Sequence, residues 1–453
     1  MSDPVVPRRD AARRRALRLY TLAWCLLAPL AVLRLLWRAR RERAYIRGLG
    51  ERFGRYTVDW RVPAGRPRLW LHAVSLGETR AAAPLLEALR RECPELGLLL
   101  THTTPSGRAA GAELLRPGDL QAWLPYDLPW AVDAFLRHFR PQVGVLMETE
   151  LWPNLAQGCA ARGVALLLAN ARLSPRSRAR WGHWPALAQA TCGALSGAAA
   201  QTGGDAARLR SLGLREVVVA GNLKFDRRGD AQLRQLGRQW RTAAGVRRVL
   251  VLASTREHRG VAEEQLLLDS LPPGGLPGVL LVLVPRHIER VPALQQLLQQ
   301  RGLRHGLRSA GPAHADMAVW VGDSMGEMPA YYAMADAAFI GGSLLPLGGQ
   351  NLIEACAEGC PVVLGPHVFN FAQAVEQAEQ AGAALRVDDA AAVWSSLLGW
   401  LQDEPALQRA RQAARAFSTA HRGAAQAQAH WIARSLQRAQ QDGARRQAPL
   451  RPQ

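Results

Sequence analysis

Short runs of consecutive apolar residues alternate along this chain with longer stretches in which charged and amide side chains are interspersed. Runs that are apolar throughout predict buried parallel strands, and the longer stretches predict helices that cover both faces of the sheets. In the first half the predicted strands are residues 68–74, 96–102, 143–147, 165–170 and 217–220. In the second half they are residues 249–253, 278–284, 318–321, 338–341 and 361–364. The pattern therefore predicts an α/β fold.

About ten strands suit two doubly wound domains better than one, and a length of 453 residues agrees. A charged segment between residues 227 and 247, just after the sequence GNLKFD, is the expected seam. We predict an N-terminal domain over residues 45–235, a C-terminal domain over 236–436, and a disordered polar tail over 437–453. In such folds ligands bind beyond the carboxyl ends of the strands, so motifs at those positions are the candidates for function.

The N-terminal region lies outside this pattern. Residues 19–33 are uncharged and flanked by arginines, and they span about 22 Å, less than the ~30 Å hydrocarbon core of a bilayer. Residues 16–37 reach spanning length if Arg18 and Arg34 extend to the interfaces. We predict that residues 1–44 are a basic flank and membrane anchor. A helix lying in the interface and a soluble structural helix remain alternatives, whereas no small-residue cleavage site supports a secretory signal peptide.

Composition and charge narrow the classes of function. Apolar residues make up 48% of the chain, which excludes global disorder. The net charge of +20 indicates an anionic partner: nucleic acid, a membrane surface or a phosphorylated substrate. No nucleic-acid-binding motif or interleaved aromatic pattern is present, so we expect no nucleic-acid partner. The arginine excess on the C-terminal flank of the anchor predicts that the rest of the chain is cytoplasmic. Six scattered cysteines indicate neither a disulfide framework nor a zinc site.

Four motifs at strand ends carry chemistry in the first half. In LHAVSLGE (71–78), Glu78 is either a helix-capping carboxylate or a general base, and Ser75 opens the same turn. Thr103, in THTTPSGR, can bind an anion or a sugar. METELWP contains Glu148 and Glu150, but no histidine cluster accompanies them, and we predict no metal. Arg172 and Ser174, in NARLSPRSR, suit phosphate recognition, or else form a solvated basic face.

The second half adds three more. The sequence VPRH presents Arg286 and His287 after a strand, and GDSMGEM forms a loop after another. The glycine-rich sequence GGS…GGQN…E predicts a turn whose backbone N–H groups and following helix hold a phosphate, with Glu354 placed to accept ribose hydroxyls. It is neither a Walker A loop nor a dinucleotide fingerprint. Lys224 is the only lysine in the chain, and it either serves a specific role or is there by chance.

Taken in order, LHAVSLGE, THTTPSGR, METELWP, NARLS, GNLKFD, VPRH and GGSLLPLGGQN…E closely resemble the motifs of the Kdo transferases. These bacterial inner-membrane enzymes attach 3-deoxy-D-manno-oct-2-ulosonic acid (Kdo) to the lipid A precursor. The resemblance covers about residues 45–425, together with an anchor of the expected kind. It implies two Rossmann-like domains of the GT-B type facing a cleft, an inverting transfer, and catalytic domains on the cytoplasmic side of the inner membrane.

The resemblance also implies ligands and roles. CMP-Kdo is the expected donor, lipid IVA is the expected acceptor, and no cofactor or metal is expected. The family's catalytic base falls on Glu78. The candidates from the motifs, together with the positions that match the family, form an acceptor-binding set and a donor-binding set. The predicted acceptor-binding residues are Ser75, Thr103, Glu150, Arg172 and Ser174. The predicted donor-binding residues are Lys224, Arg286, His287, Met325, Gly326, Glu327, Gly349, Asn351 and Glu354.

Two departures from the family pattern matter. Gln350 stands where the family usually has histidine, so an acid role for this position is in doubt. Residues 258–262 look like a short insertion before Glu263 and Glu264, which weakens Glu257 as a site residue. Another GT-B enzyme, such as a glycosyltransferase or epimerase that uses a UDP-sugar, remains the alternative function.

Overall fold

The computed structural model describes residues 5–40, 42–63, 65–226 and 231–447. The chain divides into two compact units: unit 1 comprises Met1–Arg227 and Gly423–Gln453, and unit 2 comprises Arg228–Arg422. Each unit contains a seven-stranded sheet in which every pairing is parallel. The predicted α/β fold with two doubly wound units is therefore confirmed.

Unit 1 starts with a long helix and then alternates strands and helices. Its elements are α1 (Val5–Ala39), β1 (Arg68–His72), α2 (Leu76–Glu92), β2 (Gly97–His102), α3 (Pro105–Ala112), β3 (Leu120–Trp123), α4 (Pro129–Phe139), β4 (Val143–Met147), α5 (Pro153–Ala161), β5 (Ala165–Ala171), α6 (Pro175–Gly182), α7 (Pro185–Ala194), β6 (Gly197–Ala200), α8 (Gly203–Ser211) and β7 (Val217–Val219). The strand order in the sheet is β3-β2-β1-β4-β5-β6-β7.

Unit 2 repeats this plan and adds a short hairpin. Its elements are α9 (Ala231–Ala243), β8 (Arg248–Thr255), β9 (Glu257–His258), β10 (Val261–Ala262), α10 (Glu263–Asp269), β11 (Val279–Pro285), α11 (Val291–Gln300), β12 (His305–Leu307), β13 (Val319–Val321), α12 (Met328–Met334), β14 (Ala337–Ile340), α13 (Ile353–Ala357), β15 (Val362–Leu364), α14 (Ala372–Gln380), β16 (Ala384–Arg386), α15 (Ala390–Gln402) and α16 (Glu404–Ala420). The sheet order is β12-β13-β11-β8-β14-β15-β16, and β9 pairs with β10 alone.

The last helix, α17 (Ala424–Gln447), returns to unit 1. This corrects two predictions. Residues 437–447 are helical rather than disordered, and the C-terminal domain ends at Arg422 rather than at residue 436. The physical reason is burial: Ala429, Ile432 and Leu436 pack in the unit 1 core that also contains Leu69 and Leu71 of β1. The predicted tail beyond residue 447 lies outside the described residues.

All ten predicted strands are present, and their ends lie within two residues of the predicted ends. The four strands that the apolar pattern missed in the two sheets are β3, β6, β12 and β16. Strands β3, β12 and β16 lie at sheet edges, where fewer side chains are buried and an apolar run is not required. Strand β6 is Gly197-Ala-Ala-Ala, and alanine favours helices when a sequence is judged by local preference alone.

In unit 1 four of the helices that follow strands begin with capping hydroxyls. Ser75 accepts a hydrogen bond from the backbone N–H of Glu78, and Thr104, Ser174 and Thr202 cap α3, α6 and α8 in the same way. Such caps satisfy backbone donors that a helix leaves unpaired at its N-terminus. The caps fix where each helix starts, and therefore where the loop before it lies at the carboxyl edge of the sheet.

Both sheets reverse their winding direction at an interior point. In unit 1 the chain builds outward from β1 to β3 and then from β4 to β7, so the reversal lies between β1 and β4. In unit 2 the reversal lies between β8 and β14. Loops leaving neighbouring strands in opposite directions open a crevice, and ligands of doubly wound sheets bind there. The residues that follow β1, β4, β8 and β14 are therefore the first to consider as a site.

Helix α1 is the only element among the described residues that is long and apolar enough to cross a membrane. The qualifying segment is Asp10–Ala39, with a mean hydropathy of 1.9 over its most apolar 18-residue window. The predicted apolar N-terminal helix is therefore present. Its length and composition are compatible with a membrane anchor.

Candidate active site

Glu78 is held at the reversal point of unit 1 by the turn between β1 and α2. Its Oε2 accepts a hydrogen bond from the backbone N–H of Val74 at 2.8 Å, and its Oε1 accepts one from the hydroxyl of Ser75 at 3.2 Å. The backbone N–H of Glu78 in turn donates to Ser75 Oγ at 3.4 Å. This reciprocal arrangement resembles a capping box, with the backbone donor one residue before the N-cap, and it fixes the carboxylate at the carboxyl edge of the sheet.

The turn after β2 packs directly on the Glu78 turn. The hydroxyls of Thr103 and Thr104 both donate to the carbonyl oxygen of Val74, at 3.4 and 2.9 Å. Glycine at position 107 allows this close approach, because a Cβ there would lie 3.1 Å from the carbonyl carbon of Ser75 and from the carbonyl oxygen of Val74. Thr103 is therefore beside Ser75 and Glu78, as the sequence predicts.

Two further carboxylates approach from the loop after β4. Burial is the main cause that raises the pKa of Glu78 to about 7, and the negative charges of Glu148 and Glu150 contribute to this value against the hydrogen bonds that lower it. Burial likewise raises the pKa of Glu150 to about 7, and Glu148 adds to the effect. Carboxyls with such values exchange protons near neutral pH, which is the property of a general base.

Backbone geometry sets the direction of this acidic loop. Glu148 has φ +57°, a left-handed conformation that is uncommon for residues other than glycine. Its N–H donates to the carbonyl oxygen of Ala169 on β5 at 2.8 Å, which holds the strained residue in place. Strain of this kind is concentrated at functional sites. The sequence indicates Glu148 only as a candidate metal ligand. No local sequence pattern predicts its positive φ angle.

The remaining predicted acceptor residues, Arg172 and Ser174, follow β5, the next strand along the same edge. Ser174 uses its hydroxyl to cap α6 and also contacts Ser177 Oγ at 3.1 Å. Asn170 precedes them in a left-handed conformation with φ +52°, and its Oδ1 accepts the N–H of Leu223 at 3.0 Å. The structure thus brings Ser75, Thr103, Glu78 and Glu150 together and leaves Arg172 and Ser174 one strand further along.

Lys224 lies in unit 1, in a short helical turn after β7. Its N–H donates to Asn222 Oδ1 at 3.0 Å, and Asn222 in turn donates to Gln201 Oε1 at 3.0 Å. The other predicted donor-binding residues all belong to unit 2. The structure therefore places Lys224 in a different unit from the rest of that set.

In unit 2 one buried carboxylate joins the two sides of the reversal point. Glu263 is fully buried, and it accepts hydrogen bonds from the backbone N–H groups of Arg256, Gly342 and Leu344, at 2.9, 2.6 and 3.0 Å. Arg256 follows β8, and Gly342 and Leu344 follow β14. Glu263 therefore fixes the glycine-rich loop against the end of β8. Sequence reasoning missed this role, and the adjacent glutamates at the start of α10 were the only available signal.

The glycine-rich loop differs from the predicted phosphate cradle. The N–H groups of Gly341, Gly342, Leu344 and Gly349 already donate within the protein, to Ala253, Glu263, Glu263 and Gly342 respectively. The helix that follows, α13, has only five residues. Asn351 Oδ1 accepts the N–H of Ile353 at 3.1 Å and so closes the turn before it. The prediction that the backbone of this loop holds a phosphate is therefore wrong for these four N–H groups, because acceptors within the protein already occupy them.

The loops after β11 and β13 carry charged and exposed side chains. Arg286 and His287 are exposed immediately after β11, and the Arg286 N–H donates to the carbonyl oxygen of Thr255 at 2.9 Å. Glu327 is engaged by Arg308 at 3.1 Å and by the hydroxyl of Ser324. Met325 is exposed, and Gly326 adopts φ +86° beside it. The strands β8, β11, β13 and β14 are contiguous, so these loops share one edge of the sheet.

The suspected insertion forms the hairpin of β9 and β10. Its two turn residues, Arg259 and Gly260, both have positive φ, at +52° and +82°, as a tight hairpin turn requires. Glu257 lies on this hairpin, half exposed, with its carboxylate 3.6 Å from Arg290. The hairpin projects the extra residues out of the β8–α10 connection, so that Glu263 still reaches the end of β8.

Among residues 5–40, 42–63, 65–226 and 231–447, no three His, Cys, Asp or Glu side chains are grouped so as to hold a metal ion. The chemistry available at the two edges is therefore that of carboxylates, hydroxyls and guanidinium groups. In unit 1 these groups can bind hydroxyls and accept a proton. In unit 2 the exposed cations after β11 can bind an anion.

Two consecutive doubly wound units, each with polar loops at its reversal point, are the arrangement of the GT-B fold. A crystal structure of UDP-GlcNAc 2-epimerase from Neisseria meningitidis bound to UDP-GlcNAc shares this fold. Its TM-score is 0.55, its sequence identity is 14%, and the match covers 82% of this chain and 100% of that one.

Sequence comparison identifies the family. The family model for the 3-deoxy-D-manno-octulosonic-acid transferase (kdotransferase) matches residues 47–227. A 3-deoxy-D-manno-octulosonic acid transferase of Bordetella pertussis is 45% identical over 89% of this chain and 96% of its own length. One from Haemophilus influenzae is 34% identical over 77% of this chain and 81% of its own. The chain belongs to the Kdo transferase family and is a glycosyltransferase.

Proposed function

We propose that this enzyme transfers Kdo from CMP-Kdo to the lipid A precursor, lipid IVA, in lipopolysaccharide biosynthesis. The observation that carries the proposal is a partly buried carboxylate with a pKa of about 7, held at the reversal point of unit 1 in a member of this family. The acceptor is a sugar hydroxyl, which is a weak nucleophile at neutral pH. A positioned carboxylate that takes its proton during transfer is the expected catalyst.

Glu78 is the proposed general base. Its hydrogen bonds with Val74 and Ser75 fix its position, and its raised pKa matches the pH at which it must accept a proton. Attack on the face opposite the departing CMP inverts the anomeric configuration. Ser75, Thr103 and Glu150 adjoin Glu78 and are proposed to orient the acceptor, with Arg172 and Ser174 one strand further along.

The donor is proposed to bind unit 2 through the loops after β11, β13 and β14, which carry Arg286, His287, the Met325–Glu327 segment, Gly349, Asn351 and Glu354. Lys224 of unit 1 is also proposed to contact the donor. CMP leaves as a nucleoside monophosphate, and cationic side chains such as Arg286 can stabilise its charge. The reaction does not require a metal on this account, and transfer from preformed CMP-Kdo should persist in excess EDTA.

The proposed location is the inner membrane, with both units on the cytoplasmic side. The apolar helix α1 and the net charge of +20 support it, because anionic membrane surfaces attract arginine. Lipid IVA is an anionic amphiphile, so an enzyme held at the membrane meets its acceptor there.

The test compares Glu78→Gln with the wild type and with Glu87→Gln, a substitution at an exposed position of the same helix. Each full-length protein is incubated with CMP-Kdo and lipid IVA, and products are weighed by mass spectrometry. We expect Glu78→Gln to bind CMP normally and to lose roughly 100-fold or more in kcat, since general base catalysis contributes about 10²–10⁴-fold. Glu87→Gln should remain active.

A measurement of stability distinguishes a Glu78 that acts as the base from a Glu78 that only caps α2. Because burial raises the pKa of Glu78 above the value of about 4.5 for an unburied group, the fold favours its neutral form. Glu78→Gln should therefore be at least as stable as the wild type at pH 8. A variant that turns over within a few-fold of the wild type would place the base elsewhere.

The alternative function is that of a GT-B enzyme acting on a UDP-sugar, which the fold of the Neisseria epimerase favours. Protection against thermal unfolding distinguishes the two. We expect CMP to raise the midpoint of unfolding and UDP to have little effect at the same concentration. Stabilisation by UDP alone, with no product from CMP-Kdo, would support the alternative.

A further inference from the structure

From Leu19 to Leu33 the exposed residues on the outer face of α1 are all apolar. Five leucines recur every three or four residues along it, and each is between 55% and 71% exposed: Leu19, Leu22, Leu26, Leu30 and Leu33. Trp37 continues the same face and is also more than half exposed. An exposed apolar surface of this extent is unusual in a soluble protein and indicates a binding surface.

The inner face of α1 carries the polar contacts instead. Tyr20 donates a hydrogen bond to Asp127 Oδ2 at 2.9 Å, and Thr21 donates to Asn154 Oδ1 at 2.9 Å. Trp24 donates to the Tyr20 hydroxyl at 2.7 Å. Apolar residues therefore lie on both faces of α1, and the polar contacts with unit 1 lie on the inner face, opposite the exposed leucines.

These contacts attach α1 firmly to unit 1. Asp127 is buried and also accepts the N–H groups of Asn154 and Leu155, at 3.0 and 2.7 Å, which caps α5. The ring of Trp24 lies 5.8 Å from that of Tyr126 and 6.4 Å from that of Trp152. If α1 left unit 1 to cross a bilayer, the buried groups Asp127 and Asn154 would lose the partners that Tyr20 and Thr21 supply.

Contact with unit 1 follows most of the helix. Near its N-terminal end, Arg13 donates to Gln189 Oε1 of α7 at 3.5 Å, and at the other end Ala39 is buried. Between them, partly buried residues recur with a helical period, including Leu17, Ala28, Val32 and Leu35. A helix attached along one side over this length lies beside unit 1.

We propose that α1 lies in the plane of the membrane interface and does not span the bilayer. Its leucine face enters the acyl region of the cytoplasmic leaflet, and unit 1 is attached to its inner face. This inference rests on the proposed membrane location of the enzyme and adds the geometry of binding. A free interfacial helix exposes its polar face to water, whereas the face of α1 opposite the leucines packs on unit 1.

The flanking chemistry fits an anionic bilayer. Arg14, Arg15 and Arg18 precede the leucine face, and Arg34 and Arg40 follow, all exposed and able to bind phosphate headgroups. Trp130 of α4 and Trp184, at the start of α7, are also more than half exposed, on elements adjoining α1. Tryptophan is enriched at the membrane–water interface, where its amphipathic ring is most stable.

A groove beside the leucine face gives room for lipid. It has a volume of about 600 Å³, and it is lined by α1 on one side and by α4 and α5 on the other. Leu22 belongs to both the groove and the leucine face, and Pro129 and Val132 form part of the opposite wall. An acyl chain of the same leaflet can therefore contact α1 and unit 1 together.

The first experiment measures binding to vesicles by flotation. The full-length wild type should float with vesicles of phosphatidylethanolamine and phosphatidylglycerol, and less with pure phosphatidylcholine. Leu26→Gln combined with Leu30→Gln should weaken binding roughly tenfold or more, since each change removes a leucine from the acyl region. Val246→Gln, at a fully exposed position of unit 2, is the matched control and should bind as the wild type does.

The second experiment determines on which side of the membrane the start of α1 lies. Ala12→Cys and Val246→Cys are made separately in a protein that carries Cys25→Ser and Cys93→Ser, because the other four cysteines are buried. A membrane-impermeant maleimide is applied to spheroplasts and to inverted inner-membrane vesicles. An interfacial helix predicts that both positions react in inverted vesicles and that neither reacts in spheroplasts.

Other outcomes overturn the inference in distinguishable ways. Labelling of Ala12→Cys in spheroplasts would show that α1 spans the bilayer, and it would leave the proposed function and membrane location intact. A protein that ignores vesicles and forms a dimer lost on Leu26→Gln would show that a second copy covers the leucine face. Failure of the wild type both to bind vesicles and to use lipid IVA would count against the proposed function itself.

Discussion

Glu78 combines two roles that usually fall to different residues. As a capping carboxylate it stabilises the start of α2 through Val74 and Ser75, and as a partly buried group with a pKa of about 7 it is suited to accept a proton. The sequence left these two interpretations open, and the geometry makes them compatible. The hydrogen bonds of the cap hold the carboxylate in one place, and burial with the nearby carboxylates sets its pKa.

Transfer by the wild type should therefore fall at acidic pH. A carboxyl with a raised pKa is protonated below that value and cannot act as a base, so kcat should decline about tenfold per pH unit below about 7. Glu150→Gln removes one negative charge near Glu78, which lowers the pKa of Glu78 and should move the decline to lower pH. The measurement is a kcat–pH profile from pH 5 to pH 9.

Glu87→Gln serves as the control for that profile, because its position is exposed and should leave the acid limb unchanged. If Glu150→Gln lowers kcat equally at every pH, Glu150 contacts the acceptor without changing the titration of Glu78. If the wild type shows no decline between pH 7 and pH 5, the proton acceptor is not a group with a pKa near 7.

At the level of elements, the loops of unit 2 depend on a few buried hydrogen bonds. The hairpin β9–β10 lengthens the connection from β8 to α10, yet Glu263 still binds the N–H groups of Arg256, Gly342 and Leu344. The position of the glycine-rich loop therefore depends on a side chain outside that loop. Burial raises the pKa of this carboxyl even against those hydrogen bonds.

We expect Glu263→Ala to destabilise the protein by about 3 kcal/mol, because one buried and two partly buried N–H groups would lose their acceptor at about 1–3 kcal/mol each. The free energy of unfolding in urea is the measurement. Glu257→Ala, on the half-exposed hairpin beside Arg290, should cost only about 0–1 kcal/mol. Equal losses in the two variants would show that Glu263 does not organise the loop.

Over the whole molecule, the chain crosses from unit 1 to unit 2 and comes back. Helix α17 completes unit 1: Gln428 accepts the N–H of Asn170 at 2.8 Å and donates to the carbonyl oxygen of Gly221 at 3.1 Å. Asn170 also receives the N–H of Leu223. The C-terminal helix thereby supports both the end of β5 and the loop that carries Lys224.

Truncation after Arg422 should unfold unit 1 or lower its unfolding midpoint strongly, because it removes the buried side chains of Gln428, Ala429, Ile432 and Leu436. Truncation after Asp442 is the control and should be tolerated. Thermal unfolding and limited proteolysis measure both effects. A protein ending at Arg422 that kept the wild-type midpoint would show that α17 is dispensable for unit 1.

The sequence by itself determined the fold class and most of the strands. A strand buried on both faces must be apolar throughout, so a run such as residues 143–147 can be recognised without knowing its neighbours. The positions of the motifs at strand ends likewise predicted that Ser75, Glu78 and Thr103 lie at the carboxyl edge of one sheet, because the carboxyl ends of parallel strands lie at the same edge. The apolar pattern predicted strands less well at sheet edges, and it missed β6, which is buried but consists of glycine and alanine.

Only the tertiary structure decided which segments meet. Strand order places β4 beside β1, so the carboxylates after β4 raise the pKa of Glu78, and it places β14 beside β8, where Glu263 can join them. Tertiary packing also places α17 in unit 1 and leaves the leucines of α1 exposed. The physical reason is that periodicity shows which side chains are buried, whereas their partners depend on how distant surfaces fit together.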